Sequence, residues 1–396
     1  MTAFSSPEQD LRPPTPRLHP ILWLRKNLFG SWFNSLLTLF SLAILVWTVF
    51  GFVHWAQQAN WAVIPANLKI FASGTYPVEQ LWRVWVVLGM VMAILGMAGG
   101  AWQGVLRQYT IGVAVFFGIL ALFPLGSPQF WLAGIAAVTA LGVAVGWKRQ
   151  NLQLLTLWIW VPVLPLVFEL LLGGFGEQLP GINSSELSGL LLTLIMASAA
   201  LIIAFPIGVL LALGRANGNL PVIKIFSIGV IEFFRGIPLT TILFAAWLLV
   251  PLFLGGASVD ILIRVEVGFI LFTAVYVAED VRGGLQSIPR GQWEAARALG
   301  LNPLQLTWLI ILPQALRVAI PSLVNAFLTL FKDTSLVIVV GAIDLLQAGR
   351  IVYNNSNWLG TQQEVLFFIG LVYFCFCYAM AHAAKQIERS LGLGER

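Results

Sequence analysis

The chain has 396 residues, of which 59% are hydrophobic and only 10% are charged. Soluble domains are about a quarter charged, so this composition excludes an ordinary soluble protein. The net charge of +5 does not indicate nucleic-acid binding. The basic residues lie in short segments at the ends of apolar runs, and they form no basic stripe on a soluble fold.

Apolar runs long enough to cross a bilayer recur along the chain. A spanning helix needs about 20 such residues, so the runs predict an all-α polytopic membrane protein with about ten spans, within a range of about eight to ten. In chain order, the predicted spans are Asn34–Ala56, Leu81–Trp102, Tyr109–Gly126, Phe130–Trp147, Leu154–Gly174, Gly189–Gly214, Gly236–Leu254, Ile261–Ala278, Gln314–Val340 and Glu364–Ala384.

The distribution of basic residues predicts the orientation of these spans. Most of the 22 lysines and arginines fall on the side that the positive-inside rule assigns to the cytoplasm. With an even number of spans, both termini are then cytoplasmic, as tails at residues 1–30 and 386–396. A polar loop at 177–188 lies outside, and a polar insert at 281–313 lies inside.

The loop at 177–188 also marks a change in composition. The spans before it, in residues 31–176, carry few charges, and we interpret them as an accessory region. The spans after it, in residues 189–385, contain charges and prolines, and we interpret them as a functional core.

Cysteine and catalytic patterns are uninformative. Cys375 and Cys377 lie inside the last apolar run, which predicts buried, unreactive thiols. No disulfide framework or metal-ligand spacing occurs, and no nucleophile or paired-carboxylate set indicates an enzyme. The sequence therefore predicts no catalytic residues and no metal site.

The insert carries the most specific pattern in the chain. Glu294-Ala295-Ala296, Gly300, Ile310, Leu312 and Pro313 match the spacing EAA-x3-G-x9-I-x-L-P. Residues around the glutamate predict a short helix, and the two alanines would offer a partner a surface without bulk. Gly300 permits a sharp change of direction, and Asn302-Pro303 begins the next helix.

This pattern resembles the cytoplasmic coupling loop of permease subunits of bacterial ABC importers. Over residues 189–385 the chain is similar to permeases of the polar amino-acid uptake family. The N-terminal half, from Arg25–Thr38 onward, resembles the larger permease of the general L-amino-acid uptake system. The segments that carry the core resemblance are Glu232–Thr241, Ala278–Gly300, Leu312–Phe327 and Lys332–Leu336.

The resemblance implies an amino-acid importer subunit in the bacterial inner membrane. Its partners would be a second permease subunit, an ABC ATPase dimer and a periplasmic substrate-binding protein. Glu294, Ala295, Ala296 and Gly300 would couple to the ATPase. Because the chain lacks the phosphate loop G-x4-G-K-[ST], ATP and Mg would belong to the partner, with no cofactor in this chain.

One alternative is an ion-coupled secondary amino-acid transporter. Such a protein needs no ATPase and is typically built from inverted repeats with broken helices near the midplane. No convincing internal repeat is visible in the sequence, which favours the importer subunit.

Charged residues inside spans are costly and are usually functional. Lys332, Asp333, Thr334 and Ser335 form the one such cluster with a cation, an anion and hydroxyls, and it either borders a substrate path or clamps two helices together. Thr240 and Thr241 are expected to face it. In other spans, Glu232 and Arg235 are one turn apart and predict a structural ion pair, while Glu279 and Asp280 are expected to pair with neighbours or border an inner gate.

Overall fold

A computed structural model describes residues 20–124, 126–174, 179–218, 220–253, 255, 259–390 and 392. Most of the predicted N-terminal tail, part of the predicted loop at 177–188 and the end of the C-terminal tail lie outside these ranges. Within them every assigned element is helical, and an isolated β-bridge joins Gly189 to Asp344. The predicted all-α architecture is confirmed.

The helices divide the chain as follows. In the first half they are α1 Pro20–Leu28, α2 Trp32–Gln58, α3 Val63–Ala66, α4 Leu68–Ser73, α5 Leu81–Trp102, α6 Gly104–Leu120, α7 Ser127–Lys148, α8 Gln153–Trp158 and α9 Trp160–Leu172. In the second half they are α10 Gly189–Ala216, α11 Pro221–Arg235, α12 Leu239–Phe253, α13 Ile261–Gln286, α14 Arg290–Ala298, α15 Pro303–Gln305, α16 Leu312–Asp333, α17 Leu345–Tyr353 and α18 Gln362–Ser390. A π-helical segment, Leu306–Ile311, joins α15 to α16, and a 3-10 segment, Thr334–Val340, follows α16.

Two compact units are present, residues 1–61 and 62–396. In the first, Ser31 caps α2 by accepting from the Asn34 amide at 3.1 Å. None of the α2 residues is buried. A helix that is apolar on all sides suits a lipid environment.

In the part of the chain that the structure describes, seven helices are long and apolar enough to cross a membrane, and the total is nine if each of two bent helix pairs is one span. The 17-residue α6 is apolar but shorter. Each of the ten predicted spans corresponds to one of these helices or to part of a bent pair. The orientation of the termini and the division at residues 177–188 stay predictions.

The second core span differs from its predicted form. The sequence predicts one span at Gly236–Leu254, whereas the structure has α11 and α12 joined at an angle of 101°. Proline at 238 and glycine at 236 interrupt the helix. The polar residues Lys224 and Glu232 break the apolar run in α11, so hydropathy alone did not reveal this helix.

Close packing of glycines holds α5 against α7. A Cβ atom at Gly142 would collide with the carbonyl oxygen of Ala93, and one at Gly146 would collide with that of Met97. Glycines four residues apart allow two membrane helices to approach closely. The sequence analysis did not identify this contact.

Among the described residues, the helices of the second half contribute to three apolar clusters. In one of them, Leu345 of α17 and Val365 of α18 pack with Val63 and Phe71, and the other two involve α13. One of these two includes Phe269 and Ile270 of α13 together with Leu330 and Val337. The other includes Ala296 of α14, and in it the start of α16 packs against α13. The two cysteines are not in any of the three clusters: Cys375 is exposed and Cys377 is half-buried, so the prediction of buried thiols is wrong, because this part of α18 turns its side chains outward.

Candidate functional site

A cavity of ≈ 370 Å³, with several polar side chains in its lining, lies between α13 and α16. Its lining residues recur at three-, four- and seven-residue intervals, so they share one face of each helix. From α13 they are Phe272, Thr273, Tyr276 and Asp280, and from α16 and its end they are Ser322, Asn325, Ala326, Thr329, Leu330 and Asp333.

The charge of the cavity is negative. Asp280 and Asp333 contribute carboxylates, and no lysine, arginine or histidine lines it. Hydroxyl and amide groups add neutral acceptors and donors. Thr329 and Asn325 are exposed, so the cavity is open on one side. Such a lining suits a polar ligand that presents an ammonium group to the carboxylates.

Of the six predicted substrate-path residues, the structure places one in the cavity. Asp333 lines it, whereas the side chain of Lys332 is exposed and lies outside the lining. The two do not form an ion pair within the described part of the chain. Adjacent residues on a helix point in different directions, which is why Lys332 and Asp333 do not line the cavity together.

The remaining predicted path residues lie elsewhere. Thr334 is buried, and its hydroxyl donates to the Phe331 carbonyl at 2.8 Å. Ser335 is half-buried. Thr240 and Thr241 lie in the first turn of α12, and neither lines the cavity.

A cluster of ion pairs joins α10, α11 and α13. Glu279 is its centre, with Arg215 at 2.8 Å, Arg235 at 3.3 Å and Arg282 at 2.6 Å. Arg215 also pairs with Glu232 at 3.0 Å. The predicted pairing of Glu232 with Arg235 is therefore wrong. Each finds its partner on another helix, because the bend after α11 turns this helix along α10 and α13.

The polar insert folds as the sequence predicts. Helix α14 ends in a left-handed residue, Gly300, with φ +77°. The Gly300 amide donates to the Arg297 carbonyl at 2.9 Å, and the Leu301 amide donates to the Ala296 carbonyl at 3.3 Å. This pair of bonds is the Schellman motif, which favours glycine at the left-handed position.

A capping box starts the next helix. Asn302 accepts from the Gln305 amide at 2.8 Å, and the Gln305 side chain accepts from the Asn302 amide at 3.2 Å. Glu294 and Ala295 are exposed, but Ala296 is buried against the chain's own core. Only one of the two alanines is therefore open to a partner.

Two large apolar side chains of the insert are exposed among its polar residues. Leu299 is 80% exposed and Leu304 is 70% exposed. The sequence analysis did not single out these residues. Exposed large apolar side chains can belong to an interaction surface.

Comparisons with known proteins identify the family of the chain. The family model described as a binding-protein-dependent transport system inner membrane component matches residues 204–392. The glutamate/glutamine/aspartate/asparagine transport system permease protein BztC of Rhodobacter capsulatus is 35% identical over 96% of this chain and 95% of its own length. The inner membrane amino-acid ABC transporter permease protein YhdY of Escherichia coli K12 is 36% identical over 96% of this chain and 97% of its own. The chain belongs to the family of amino-acid ABC transporter permeases.

Shorter permeases align with only part of the chain. The glutamate/aspartate import permease protein GltK of Escherichia coli O6:H1 is 37% identical over 51% of this chain and 92% of its own length. The cavity, the ion-pair cluster and the insert all lie within residues 204–392, the part that the family model matches. BztC and YhdY, in contrast, align along nearly the whole chain, so the N-terminal helices belong to this branch of the permease family. The predicted family and the predicted location in the inner membrane are confirmed.

Proposed function

We propose that this permease forms half of the translocation path of an ATP-driven amino-acid importer. A second permease subunit supplies the other half, because the cavity is open along one side. A periplasmic binding protein delivers the amino acid, and an ABC ATPase dimer, with its ATP and Mg, supplies the energy. The match of the relatives to ABC permeases disfavours the alternative of an ion-coupled secondary transporter.

The observation that supports a coupling role is the exposure of two large apolar side chains in the insert. Leu299 and Leu304 flank the Gly300 turn, and Glu294 and Ala295 are exposed on the helix before it. A rigid capped helix with apolar side chains at its end can transmit a push from a partner without deforming. We infer that the ATPase binds here.

The substrate class follows from the cavity and from the relatives. A lining with carboxylates, hydroxyls and an amide suits a polar amino acid. BztC is named for transport of glutamate, glutamine, aspartate and asparagine. This chain on its own offers the cavity no cation for the carboxylate of an amino acid, so that cation has to come from the second permease.

Replacing Leu299 tests the coupling role. The complex is purified with its ATPase and binding protein, and ATP-dependent uptake is measured in proteoliposomes. Leu299→Gln is expected to lower uptake and the amount of ATPase retained. Leu359→Gln is the matched control, since Leu359 is 71% exposed but lies in the connection before α18. Full uptake and ATPase retention by Leu299→Gln would remove the insert from the coupling mechanism, and uptake driven by an ion gradient without ATP would favour the secondary transporter.

The orientation has its own test. A cysteine at Ser185 is expected to react with an impermeant thiol reagent from outside, and one at Gln292 only from inside. Both positions are exposed. The opposite labelling pattern would place the insert on the wrong side for an ATPase.

A further inference from the structure

Helix α13 contains a buried acid that the cavity does not use. Both carboxylate oxygens of Glu266 are buried, and neither has a hydrogen-bond partner among the described residues. The only other charged residue near it on this helix, Arg264, donates to the Trp247 carbonyl and lines a separate groove between α12 and α13. An ionised carboxylate without a partner is strongly unfavourable in an apolar region. The structure therefore keeps a costly group in place without an internal partner.

The position of Glu266 aligns it with the cavity. Glu266, Thr273 and Asp280 follow one another at intervals of seven residues. Seven residues make almost two full turns of an α-helix, so the three side chains share one face. Thr273 and Asp280 line the cavity, and Glu266 lies about 10 Å beyond Thr273 along the helix axis.

An apolar plug separates Glu266 from the cavity. Phe269 and Ile270 occupy the helix face between Glu266 and Thr273, and they pack in one cluster with Leu330 and Val337. Phe269 is fully buried, and Leu330 is 3% exposed. Of the three polar residues on this face of α13, Thr273 and Asp280 therefore border the cavity, whereas Glu266 is shut off from it.

We propose that Glu266 is a second binding position on the translocation path, and that it accepts the ammonium group of the amino acid when the plug opens. The proposal rests on the proposed function, since it requires a path between α13 and α16. In this proposal, the carboxylate of Glu266 binds the ammonium group only in the state in which Asp280 and Asp333 are not accessible to the amino acid. The two ends of the same helix face bind the ammonium group in alternation.

An ammonium ligand fits the site better than a metal ion. No group of three or more potential metal-ligating side chains occurs in the part of the chain that the structure describes. A single carboxylate accepts charge-assisted hydrogen bonds from an ammonium group. The amino group is common to all amino acids, so the position would serve passage rather than selection among side chains.

Cysteine accessibility tests whether the plug opens. Cys375 and Cys377 are first replaced by serine, and a cysteine is placed at Glu266 or at Thr329 in the full complex. A cationic methanethiosulfonate is added in the nucleotide-free state and after trapping with vanadate and Mg-ATP. The Glu266 position is expected to react only in the trapped state, and the Thr329 position only in the nucleotide-free state.

The labelling pattern also separates the two proposals. If Thr329→Cys changes its reactivity with nucleotide while Glu266→Cys reacts in neither state, the importer mechanism stands and the role of Glu266 is overturned. If neither position responds to nucleotide and the parent shows no ATP-dependent uptake, the proposed function itself fails.

Transport by Glu266→Gln is the second test, and it does not depend on labelling. Loss of a charge-assisted hydrogen bond on the path is expected to lower the uptake rate about tenfold, with the melting temperature and ATPase retention unchanged. Glu169→Gln is the matched control, because Glu169 is an exposed carboxylate in the apolar helix α9. Uptake by Glu266→Gln at the parental rate would show that Glu266 is only a neutral structural acid.

Discussion

Arg215 Nη1 lies 2.8 Å from Glu279 Oε1, which ties the end of α10 to α13. The same carboxylate also pairs with Arg235 at the end of α11 and with Arg282 on its own helix. One acidic side chain therefore fixes the ends of three helices next to the insert. A movement of the insert relative to α10 and α11 would therefore have to change the ion pairs of Glu279.

We expect Glu279→Gln to destabilise the protein more than Glu232→Gln. The Glu279 side chain is 14% exposed and serves three arginines, whereas that of Glu232 is 55% exposed and serves one. Removing the Glu279 carboxylate leaves Arg235 and Arg282 without an ion-pair partner among the described residues, at a cost of about 1–3 kcal/mol, while an exposed pair contributes about 0–1 kcal/mol. Melting temperatures of the two variants in detergent check this order. Equal losses would mean that Glu279 is not the centre of the joint.

The packing of α5 on α7 predicts a contrast between two glycines of one helix. Gly142→Ala places a methyl group against the Ala93 carbonyl, whereas Gly134→Ala meets nothing within 4 Å. We expect the first change to lower the melting temperature, because overpacking costs about 1–3 kcal/mol of folding free energy. The second change should be neutral or slightly stabilising. A similar melting temperature for both variants would contradict the close contact.

Hydropathy predicts where the core helix α13 begins but not where it ends. The sequence predicts a span at Ile261–Ala278, whereas α13 continues to Gln286. The last two turns contain the charged residues Glu279, Asp280 and Arg282, and a span predicted from hydropathy stops before them. In the structure, Arg215 and Arg235 neutralise Glu279, so the helix continues. The partners come from helices that are distant in sequence, and a hydropathy window cannot include them.

The insert was the most predictable part, and the cavity was the least. Caps and turns are local, so Gly300 and Asn302 predict their own conformations. The cavity instead depends on which faces of α13 and α16 meet. Ser322, Asn325, Thr329 and Asp333 form a polar stripe at three- and four-residue intervals, a signal that was present in the sequence. The adjacent charges at Lys332 and Asp333 are the more conspicuous feature of the sequence, but they lie on different faces of the helix.

Gly300 is expected to be required for coupling but not for assembly. Its φ of +77° lies in the left-handed region, where a residue with a side chain costs about 1–2 kcal/mol and a β-branched residue is a genuine outlier. Gly300→Val should therefore shift Leu299 and Leu301 and abolish ATP-dependent uptake, with the amount of permease in the membrane unchanged. Gly291→Ala is the control within α14, since a Cβ there meets nothing within 4 Å and its φ is not positive. Parental uptake by Gly300→Val would remove the turn from the mechanism.

Asp344 predicts a pH-dependent stability. It caps α17 by accepting from the amides of Leu346 at 3.1 Å and Gln347 at 3.0 Å, and it is fully buried. Burial raises its pKa above the ordinary aspartate value, although the amide bonds oppose the shift. The folded state therefore holds the proton more tightly than the unfolded state, and this contribution to stability is lost as the pH rises from about 4 through the raised pKa.

The variant Asp344→Asn removes that titration. The melting temperature of the parent minus that of Asp344→Asn is expected to fall as the pH rises from about 4 toward neutrality. Melting curves of both proteins over this range check the sign. A difference that stays constant or grows with pH would show that the amide bonds outweigh burial.

The last prediction separates a binding carboxylate from a structural clamp. Asp333 lines the cavity and Lys332 does not, so Asp333→Asn is expected to lower uptake about tenfold through one lost charge-assisted hydrogen bond. Lys332→Gln is expected to have a smaller effect, and the double variant should behave like Asp333→Asn. If the two charges instead clamp helices together, each single change leaves a partner unpaired, and the double variant would transport better than either single variant. Uptake and ATPase stimulation by loaded binding protein, measured for all three variants, decide between these outcomes.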